Sequence, residues 1–241
     1  FPGQQMQPKA TVSFQSIGAG LMGLERAAVD FGDLNGDGTP DDLVMVGLNS
    51  NNQPTAVVYE NDGNGSFTAL GAGLEGVKNG DAAWVDVDGD GYDDLIISGT
   101  NGNATTTVYE NKDDGNGNRV FEPVNSDGLP DLKKGSISHD TFANNDSNVD
   151  LLLTGKKNDG SFVTAFFPGN GDGTFGSAID VAGDAVWNSS SAVLDTAPQF
   201  ALITGAQPDG NHVALLNEFA VSTASIGTGV AFGSSSWIDY D

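Results

Sequence analysis

The sequence predicts an all-β fold of the β-propeller class, in which a four-stranded blade of about 50 residues repeats along the chain. Three observations lead to this prediction. Glycine is frequent, with 34 of the 241 residues, as expected of a chain that turns often. The apolar runs are short and are bounded by Gly, Asn and Asp, as strands usually are. Two long segments also align with each other, and each contains four such runs.

The first two repeats show this alignment most clearly. AAVDFGDLNGDGTPDDLVMVG begins at Ala27, DAAWVDVDGDGYDDLIISG begins at Asp81, and each continues into a strand that ends in Val-Tyr-Glu-Asn. The acidic loops that start at Asp33 and Asp86 lie 53 residues apart. A β-sandwich is the rival fold class, but it does not explain a regular spacing of this length.

Weaker copies extend the repeat toward the C-terminal end. SISHDTFANNDSNVDLLLTG begins at Ser136, and AVLDTAPQFALITG, from Ala192, keeps the strands without the acidic loop. We therefore expect an N-terminal tail over residues 1–10 and a β-propeller over residues 11–241. The predicted blades cover about residues 27–71, 80–124, 135–179 and 190–232, and the strands at 11–16 and 235–241 are expected to belong to a split or incomplete further blade.

The two acidic loops have the ligand spacing of a calcium site. Oxygen-bearing side chains occupy positions 1, 3, 5 and 9 of each loop, and Gly at position 6 permits the sharp turn that makes them converge. With a backbone carbonyl at position 7, the predicted ligands are Asp33, Asn35, Asp37, Thr39 and Asp41 in the first loop and Asp86, Asp88, Asp90, Tyr92 and Asp94 in the second. Ca²⁺ takes about 6–8 such oxygens, whereas Mg²⁺ demands a tighter octahedron.

An EF-hand and a metal-free turn are the two other interpretations of these loops. An EF-hand needs a Glu at position 12, which is Val44 in one loop and Ile97 in the other. A metal-free polar turn is the plainer alternative, because Asp and Gly are ordinary turn residues. Against it, several carboxylates this close together repel one another unless a cation lies among them. Calcium at two sites is therefore the predicted cofactor content, with a third site possible in the third repeat.

Further candidate ligands are less well placed. The third repeat offers Asp140, Asn144, Asp146, Asn148 through its backbone, and Asp150, but Ser147 replaces the loop glycine. Asp239 and Asp241 have the positions of the first two ligands of another loop. Neither set reproduces the full spacing of the first two loops.

With these residues identified, the chain resembles the FG-GAP and VCBS repeats of integrin-like calcium-binding β-propellers of bacterial surface or secreted proteins. The motifs that carry the resemblance are DLNGDGTPDDLVMVG, DVDGDGYDDLIISG, YENDGNGSF and FFPGNGDGTF. The resemblance implies calcium bound between the first and second strands of a blade, and an extracellular or cell-surface location. The fourth repeat departs from the family pattern because it has no acidic loop.

Charge and composition exclude several classes of partner. The net charge of −24 disfavours nucleic acid and anionic membranes, both of which need clustered Lys and Arg. The absence of cysteine excludes disulfides, thiolate zinc sites and a cysteine nucleophile. No apolar run is long enough for a transmembrane helix. Trp84 and Trp237 occupy matched first-strand positions, which favours packing within the blades over sugar stacking.

We expect a binding or adhesion module for a glycan or protein ligand, with its ligand face opposite the calcium loops. That face would comprise residues 48–54, 100–103, 156–160 and 206–210 and the links at 71–81, 125–135 and 180–188. The alternative is a structural subunit of a surface layer or fibre, completed by self-association through strand exchange. A calcium-dependent polysaccharide-active enzyme ranks third, and no enzyme is expected, because His139 and His212 are the two histidines and no catalytic set surrounds them.

Overall fold

A computed structural model describes residues 18–124, 128–141 and 146–180, together with the backbone of four strands between residues 187 and 227. Within these residues every regular element is a strand, and no helix occurs. Accordingly, the part of the chain described contains no helix that is long and apolar enough to cross a membrane.

The strands form four separate four-stranded sheets. The first sheet contains β1 (Glu25–Gly32), β2 (Asp42–Leu48), β3 (Pro54–Asn61) and β4 (Phe67–Leu70). The second contains β5 (Lys78–Val85), β6 (Asp94–Thr100), β7 (Ala104–Asp113) and β8 (Arg119–Pro123). The third contains β9 (Lys133–Asp140), β10 (Asp150–Lys156), β11 (Phe162–Phe167) and β12 (Ile179–Asp180). The fourth contains β13 (Trp187–Leu194), β14 (Phe200–Ala206), β15 (His212–Glu218) and β16 (Ser222–Gly227).

Each sheet is an antiparallel meander whose strands pair in chain order. The all-β prediction is confirmed, and the arrangement is consistent with a propeller-like fold. Consecutive sheets also repeat the same register, since Leu43 faces Tyr59 in the first sheet and Leu95 faces Tyr109 in the second. The strands predicted at residues 11–16 and 235–241 lie outside the described residues.

The core lies between neighbouring sheets. One apolar cluster joins the first and second sheets through residues such as Val44, Val46 and Ile97, and another joins the second and third through Ile96 and Leu153. The second strands of the first three sheets, β2, β6 and β10, are buried along almost their whole length, as their continuous apolar runs indicate. This burial fixes the acidic loops at one end of the packed sheets.

Trp84 of β5 is a core residue of the interface between the first two sheets. Only 3% of it is exposed, and its ring centroid lies 5.8 Å from that of Phe121. Gly32 of β1 covers it, and a Cβ added to Gly32 would lie 2.3 Å from Trp84 Cγ. The prediction that Trp84 packs within the blades is confirmed, whereas Trp237 lies outside the described residues.

On the opposite side of the first sheet, no such cover comes from the residues that the structure describes. Phe31 of β1 pairs with Leu43 as Trp84 pairs with Leu95, so Phe31 and Trp84 are equivalent positions. Phe31 is nevertheless 55% exposed, and Val29, two residues earlier, is also 55% exposed. Within the described residues, the first sheet therefore has an exposed apolar face, whereas the equivalent face of the second sheet is buried.

Two aspartates of the first strands link neighbouring sheets. Asp30 Oδ2 accepts a hydrogen bond from the Trp84 backbone N–H at 2.9 Å, and Asp81 Oδ2 accepts one from the Ile137 N–H at 2.9 Å. Burial raises the pKa of Asp81 to about 6, although the N–H groups of Ile137 and Ala82 oppose the shift. The Asp81 carboxyl therefore binds its proton more tightly in the folded protein than in the unfolded chain.

This shift predicts a pH dependence of stability. Because the pKa of Asp81 rises on folding, its contribution to the free energy of unfolding should increase as pH falls from about 7 to about 4, and then level off. Over that interval the wild type should gain roughly 2–3 kcal/mol relative to Asp81→Asn, in which this group cannot titrate. Urea unfolding of both proteins at several pH values measures the difference. A difference that stays constant with pH would contradict the role given to Asp81.

Candidate metal centre

The two acidic loops, residues 33–41 and 86–93, have the same internal hydrogen bonds. Asp33 Oδ1 accepts from the N–H groups of Gly36 and Asp37, at 2.8 and 3.1 Å, and its Oδ2 accepts from Gly38 at 2.6 Å. Asp86 accepts in the same way from Gly89, Asp90 and Gly91, at 2.7, 3.2 and 3.0 Å. The first carboxylate of each loop therefore lies inside the turn and orders the backbone around it.

The ends of the loops are equivalent as well, and they identify Asp42 as the counterpart of Asp94. Asp94 Oδ2 accepts from Val87 N–H and its Oδ1 from Asn111 N–H, at 2.9 and 2.8 Å. Asp42 makes the same pair of bonds with Leu34 and Asn61, at 3.0 and 2.9 Å.

Asp41, the residue that the spacing predicts as the ninth-position ligand, instead corresponds to Asp93. Its Oδ2 accepts a hydrogen bond from Asn61 Nδ2 at 3.0 Å. The first loop is one residue longer than the second, and the extra residue lies before Asp41, beside Thr39 and Pro40. Counting from the start of the loop could not show this, because the position is fixed by hydrogen bonds to distant strands.

The second loop brings three carboxylates together. Ligand oxygens of Asp86, Asp88 and Asp94 all lie within 4.8 Å of one another. Burial raises the pKa of Asp94 to about 7, and the nearby carboxylates of Asp88 and Asp90 raise it further, against the effect of two backbone N–H groups. Burial also raises the pKa of Asp88. Ionising all three carboxylates together is unfavourable without a cation, so this oxygen-only cluster fits a hard divalent ion.

The corresponding residues of the first loop are Asp33, Asn35 and Asp42. Asn35 has the place of Asp88, and its side-chain oxygen accepts the same local hydrogen bond, from Asp37 N–H at 3.0 Å. Burial raises the pKa of Asp42, as it does that of Asp94. The first loop therefore repeats the hydrogen-bond pattern of the second, with one fewer negative charge at these three positions.

The two loops contact each other across the sheet interface. Asp93 N–H donates to the Asp33 carbonyl at 3.1 Å, and Asp93 Oδ2 accepts from Asp33 N–H at 2.8 Å. Asn111, at the end of the Val-Tyr-Glu-Asn strand, donates from Nδ2 to the carbonyls of Leu34 and Asp93, at 2.9 and 2.8 Å. Asp93 and Asn111 connect the two loops, and the sequence interpretation did not identify them, although both belong to segments shared by the repeats.

Tyr92, predicted as a backbone-carbonyl ligand, also supports the first loop with its ring. Gly36 has a left-handed φ of 74°, and a Cβ there would lie 2.6 Å from Tyr92 Cε1. The Arg119 guanidinium lies 3.7 Å from the centroid of the same ring. Glycine at position 36 is therefore required both by the turn and by the neighbouring sheet.

The third loop is arranged differently. Asp140 is the last residue of β9 and pairs with Asp150, which places it one residue before the position that corresponds to Asp86. Asp150 is buried and accepts from Gly169 N–H at 3.0 Å, and Asp146 accepts from Asn148 N–H at 2.9 Å. Asn144, Asp239 and Asp241 lie outside the described residues. In the part of the chain that the structure describes, acidic ligand atoms converge in a group of three only at Asp86, Asp88 and Asp94.

The face opposite the acidic loops, where the ligand was expected, contains a shallow cleft in the first sheet. The cleft measures about 450 Å³ and lies between the β2–β3 loop and the segment that precedes β1. Leu48, Asn49, Ser50 and Asn52 line it on one side. Asn49 orders this loop, since its Oδ1 accepts from the N–H groups of Asn51 and Gln53.

Comparison with known families supports the motif resemblance over the two acidic loops. Residues 33–97 match the family model of the FG-GAP-like repeat. The match begins at Asp33 and ends in β6, so it includes both loops and the strands between them. No curated protein sequence matches the chain significantly. The prediction of an FG-GAP repeat is thus confirmed for the segment in which the candidate ligands lie.

Proposed function

We propose that this FG-GAP-repeat chain is a calcium-binding β-propeller module, secreted or exposed on a cell surface, that binds a glycan or protein ligand. The observation that carries the proposal is the convergence of Asp86, Asp88 and Asp94 in a loop whose hydrogen bonds are repeated in the first loop. Calcium would be held at one such site in each loop. Its role there is structural, because the loops also join neighbouring sheets.

The donor set favours Ca²⁺ over other metals. The site offers carboxylate, amide and carbonyl oxygens without His or Cys, which is the hard-ligand chemistry of Ca²⁺ and Mg²⁺. A loop that can supply alternate side chains and a carbonyl suits the larger, more flexible coordination shell of Ca²⁺. The match to an FG-GAP-like repeat, which is typical of extracellular proteins, supports an extracellular location for the chain.

The propeller itself is proposed from the packing of the sheets. The second sheet buries Trp84 against the first, and the equivalent Phe31 of the first sheet is exposed together with Val29. A further blade packed on this face would bury both side chains and continue the same interface. A blade donated by a second copy of the chain is the structural alternative, and the same exposed face favours it.

A binding role is favoured over catalysis by the way the buried carboxylates are used. Asp42, Asp94 and Asp150 all accept hydrogen bonds from backbone N–H groups that connect loops and strands. These side chains hold the fold together rather than facing an open cleft. A general acid or base must instead be within reach of a substrate proton.

Ligand binding should depend on calcium if the loops organise the module. We expect the fluorescently labelled chain to bind a subset of an array of glycans and extracellular proteins in millimolar Ca²⁺. Binding should fall at least about tenfold after chelation, because the unliganded loops no longer fix the sheets. Retained binding in chelator would contradict the calcium-dependent part of the proposal, and an array without any bound ligand would contradict the binding role.

A further inference from the structure

The β7–β8 hairpin of the second sheet is longer than its counterparts. Asn61 pairs with Phe67, Asn111 with Phe121, and Gly169 with Phe175, so these pairs mark the same position in three sheets. Between them lie residues 62–66, 112–120 and 170–174, which makes the second hairpin four residues longer than the others. In repeat proteins, an insertion confined to one repeat often marks the binding face.

The extension is well ordered. Its added residue pairs are Lys112 with Val120 and Asp113 with Arg119. Lys112 Nζ lies 2.8 Å from Glu110 Oε2, and Asp114 Oδ1 accepts from the N–H of Asn116 at 2.8 Å. Hydrogen bonds from Asn118 and Asn116 lower the pKa of Asp114 to about 2, so its carboxylate stays ionised within the turn.

The extension opens a cleft beside the first acidic loop. In the third sheet the short turn closes onto the second sheet, with Gly173 N–H donating to the Val87 carbonyl at 3.3 Å. At the equivalent place beside Leu34, the longer hairpin leaves a cleft of about 350 Å³. Leu34, Asn35, Glu60, Tyr92, Asn118 and Arg119 are among the residues that line it. This volume is at the lower end of the ~300–1,000 Å³ typical of small-molecule sites.

Arg119 supplies hydrogen-bond donors at this cleft. Its Nε donates to Asn111 Oδ1 at 2.7 Å and its Nη2 to the Asn111 carbonyl at 2.6 Å, while Tyr92 supports the guanidinium plane. A guanidinium has five N–H donors, so these two bonds leave donors for a ligand. Among the residues described, no carboxylate oxygen forms an ion pair with Arg119 within 4.0 Å. The group is fixed in place, yet not neutralised by a neighbour.

We propose that this cleft binds a neutral sugar residue. The inference rests on the proposed binding function, but it places the ligand on the face of the acidic loops rather than on the opposite face. Glu60 accepts hydrogen bonds from hydroxyls, Arg119 donates to ring and hydroxyl oxygens, and the Asn118 amide can do both. The partly buried Leu70 provides an apolar surface for the C–H face of a sugar ring. A hydroxylated ring satisfies all these groups at once.

Charge narrows the ligand class. Glu60 and Asp113 line the same cleft in a chain of net charge −24, which disfavours phosphates and acidic sugars. Arg119 disfavours cationic ligands, because its positive guanidinium repels them. A neutral polyol is the class that neither carboxylates nor guanidinium repel.

Saturation-transfer NMR with glucose, galactose, mannose and glucuronate, in millimolar Ca²⁺, tests the proposal on the full chain. We expect transfer to at least one neutral hexose and weaker transfer to glucuronate. Glu60→Gln should lower the affinity for that hexose at least about tenfold, because a charge-assisted hydrogen bond is lost. Arg119→Lys should also weaken it, since lysine keeps the charge but not the planar fork. Glu110→Gln is the matched control, because Glu110 has the equivalent position on β7 and faces Lys112 outside the cleft.

The outcomes separate this inference from the proposed function. If Glu60→Gln and Glu110→Gln changed hexose affinity equally, the sugar site would not be in this cleft, although the chain would still be a sugar-binding module. Stronger transfer to glucuronate, or no transfer from any hexose while the array shows another ligand, would overturn the neutral-sugar assignment alone. Absence of ligands in both experiments would remove the binding function and this inference together. Unchanged melting temperatures of the variants verify that each one is folded.

Discussion

Millimolar Ca²⁺ is expected to raise the melting temperature of the calcium-free protein by roughly 5–10 °C for each occupied loop. An ion that binds only the folded state stabilises it by about 2.7 kcal/mol at a hundredfold excess over the dissociation constant. In a domain of this size, 1 kcal/mol shifts the melting temperature by about 2–4 °C. The physical source is the cluster of Asp86, Asp88 and Asp94, whose carboxylates repel one another until a cation lies between them. Differential scanning calorimetry in Ca²⁺ and in chelator measures the shift.

Substitutions assign the shift to particular loops. Asp94→Asn removes one carboxylate from the second loop and should eliminate about half of the calcium-dependent shift, leaving the part that comes from the first loop. Asp42→Asn should do the same for the first loop, and Asp41→Asn should not, because Asp42 has the position of Asp94. Asp62→Asn is the control, since Asp62 orders a β3–β4 turn by accepting from Asn64 and Ser66 N–H without belonging to either cluster. An equal shift in all variants, or an equal shift with Mg²⁺, would contradict the assignment.

Replacing Trp84 with alanine should be the most destabilising single change at the sheet interface. Trp84 is 3% exposed, packs on Phe121 and fills the space left by Gly32. Truncating a buried aromatic side chain typically costs about 3–5 kcal/mol, through lost contacts and the cavity left behind. Guanidinium unfolding at saturating Ca²⁺ measures this cost without interference from metal release.

Phe31→Ala is the matched control for Trp84→Ala. Phe31 has the same register position in the first sheet, but 55% of it is exposed. In the monomeric chain this substitution should cost less than about 1 kcal/mol, because little apolar area is removed from the core. If Trp84→Ala lowered the free energy of unfolding no more than Phe31→Ala does, Trp84 would not be a main contact between the first two sheets. The pair also reports on the exposed face, since a large cost at Phe31 would mean that another sheet covers it.

The repeat made most of the fold predictable. Strands alternate with glycine-rich turns at a regular spacing, so the four sheets and the end at which the acidic loops lie followed from aligning the segments that begin at Ala27 and Asp81. The burial of Trp84 followed from its first-strand position. The exposure of Phe31 could not be predicted in this way. Its equivalent, Trp84, is buried by the neighbouring first sheet, and the local sequence does not specify whether a strand has such a neighbour.

The candidate site was predictable in composition but not in its connections. Spacing identified the loops, and the convergence of Asp86, Asp88 and Asp94 agrees with it. The role of Asp42 depends on N–H groups of Leu34 and Asn61, and that of Asn111 on a carbonyl of the preceding sheet. Such contacts arise only when strands distant in sequence come together. The cleft beside Arg119 likewise needed the neighbouring sheet, although the longer hairpin was visible in the sequence.

Isothermal titration of the calcium-free chain with Ca²⁺ tests most directly whether these loops are metal sites. We expect saturable binding in the wild type, with one ion for each of the two acidic loops. Asp94→Asn and Asp42→Asn should each lose one of these ions, while Asp62→Asn should lose none. The absence of saturable calcium binding in the wild type at millimolar concentration would mean that the two acidic loops are not calcium sites.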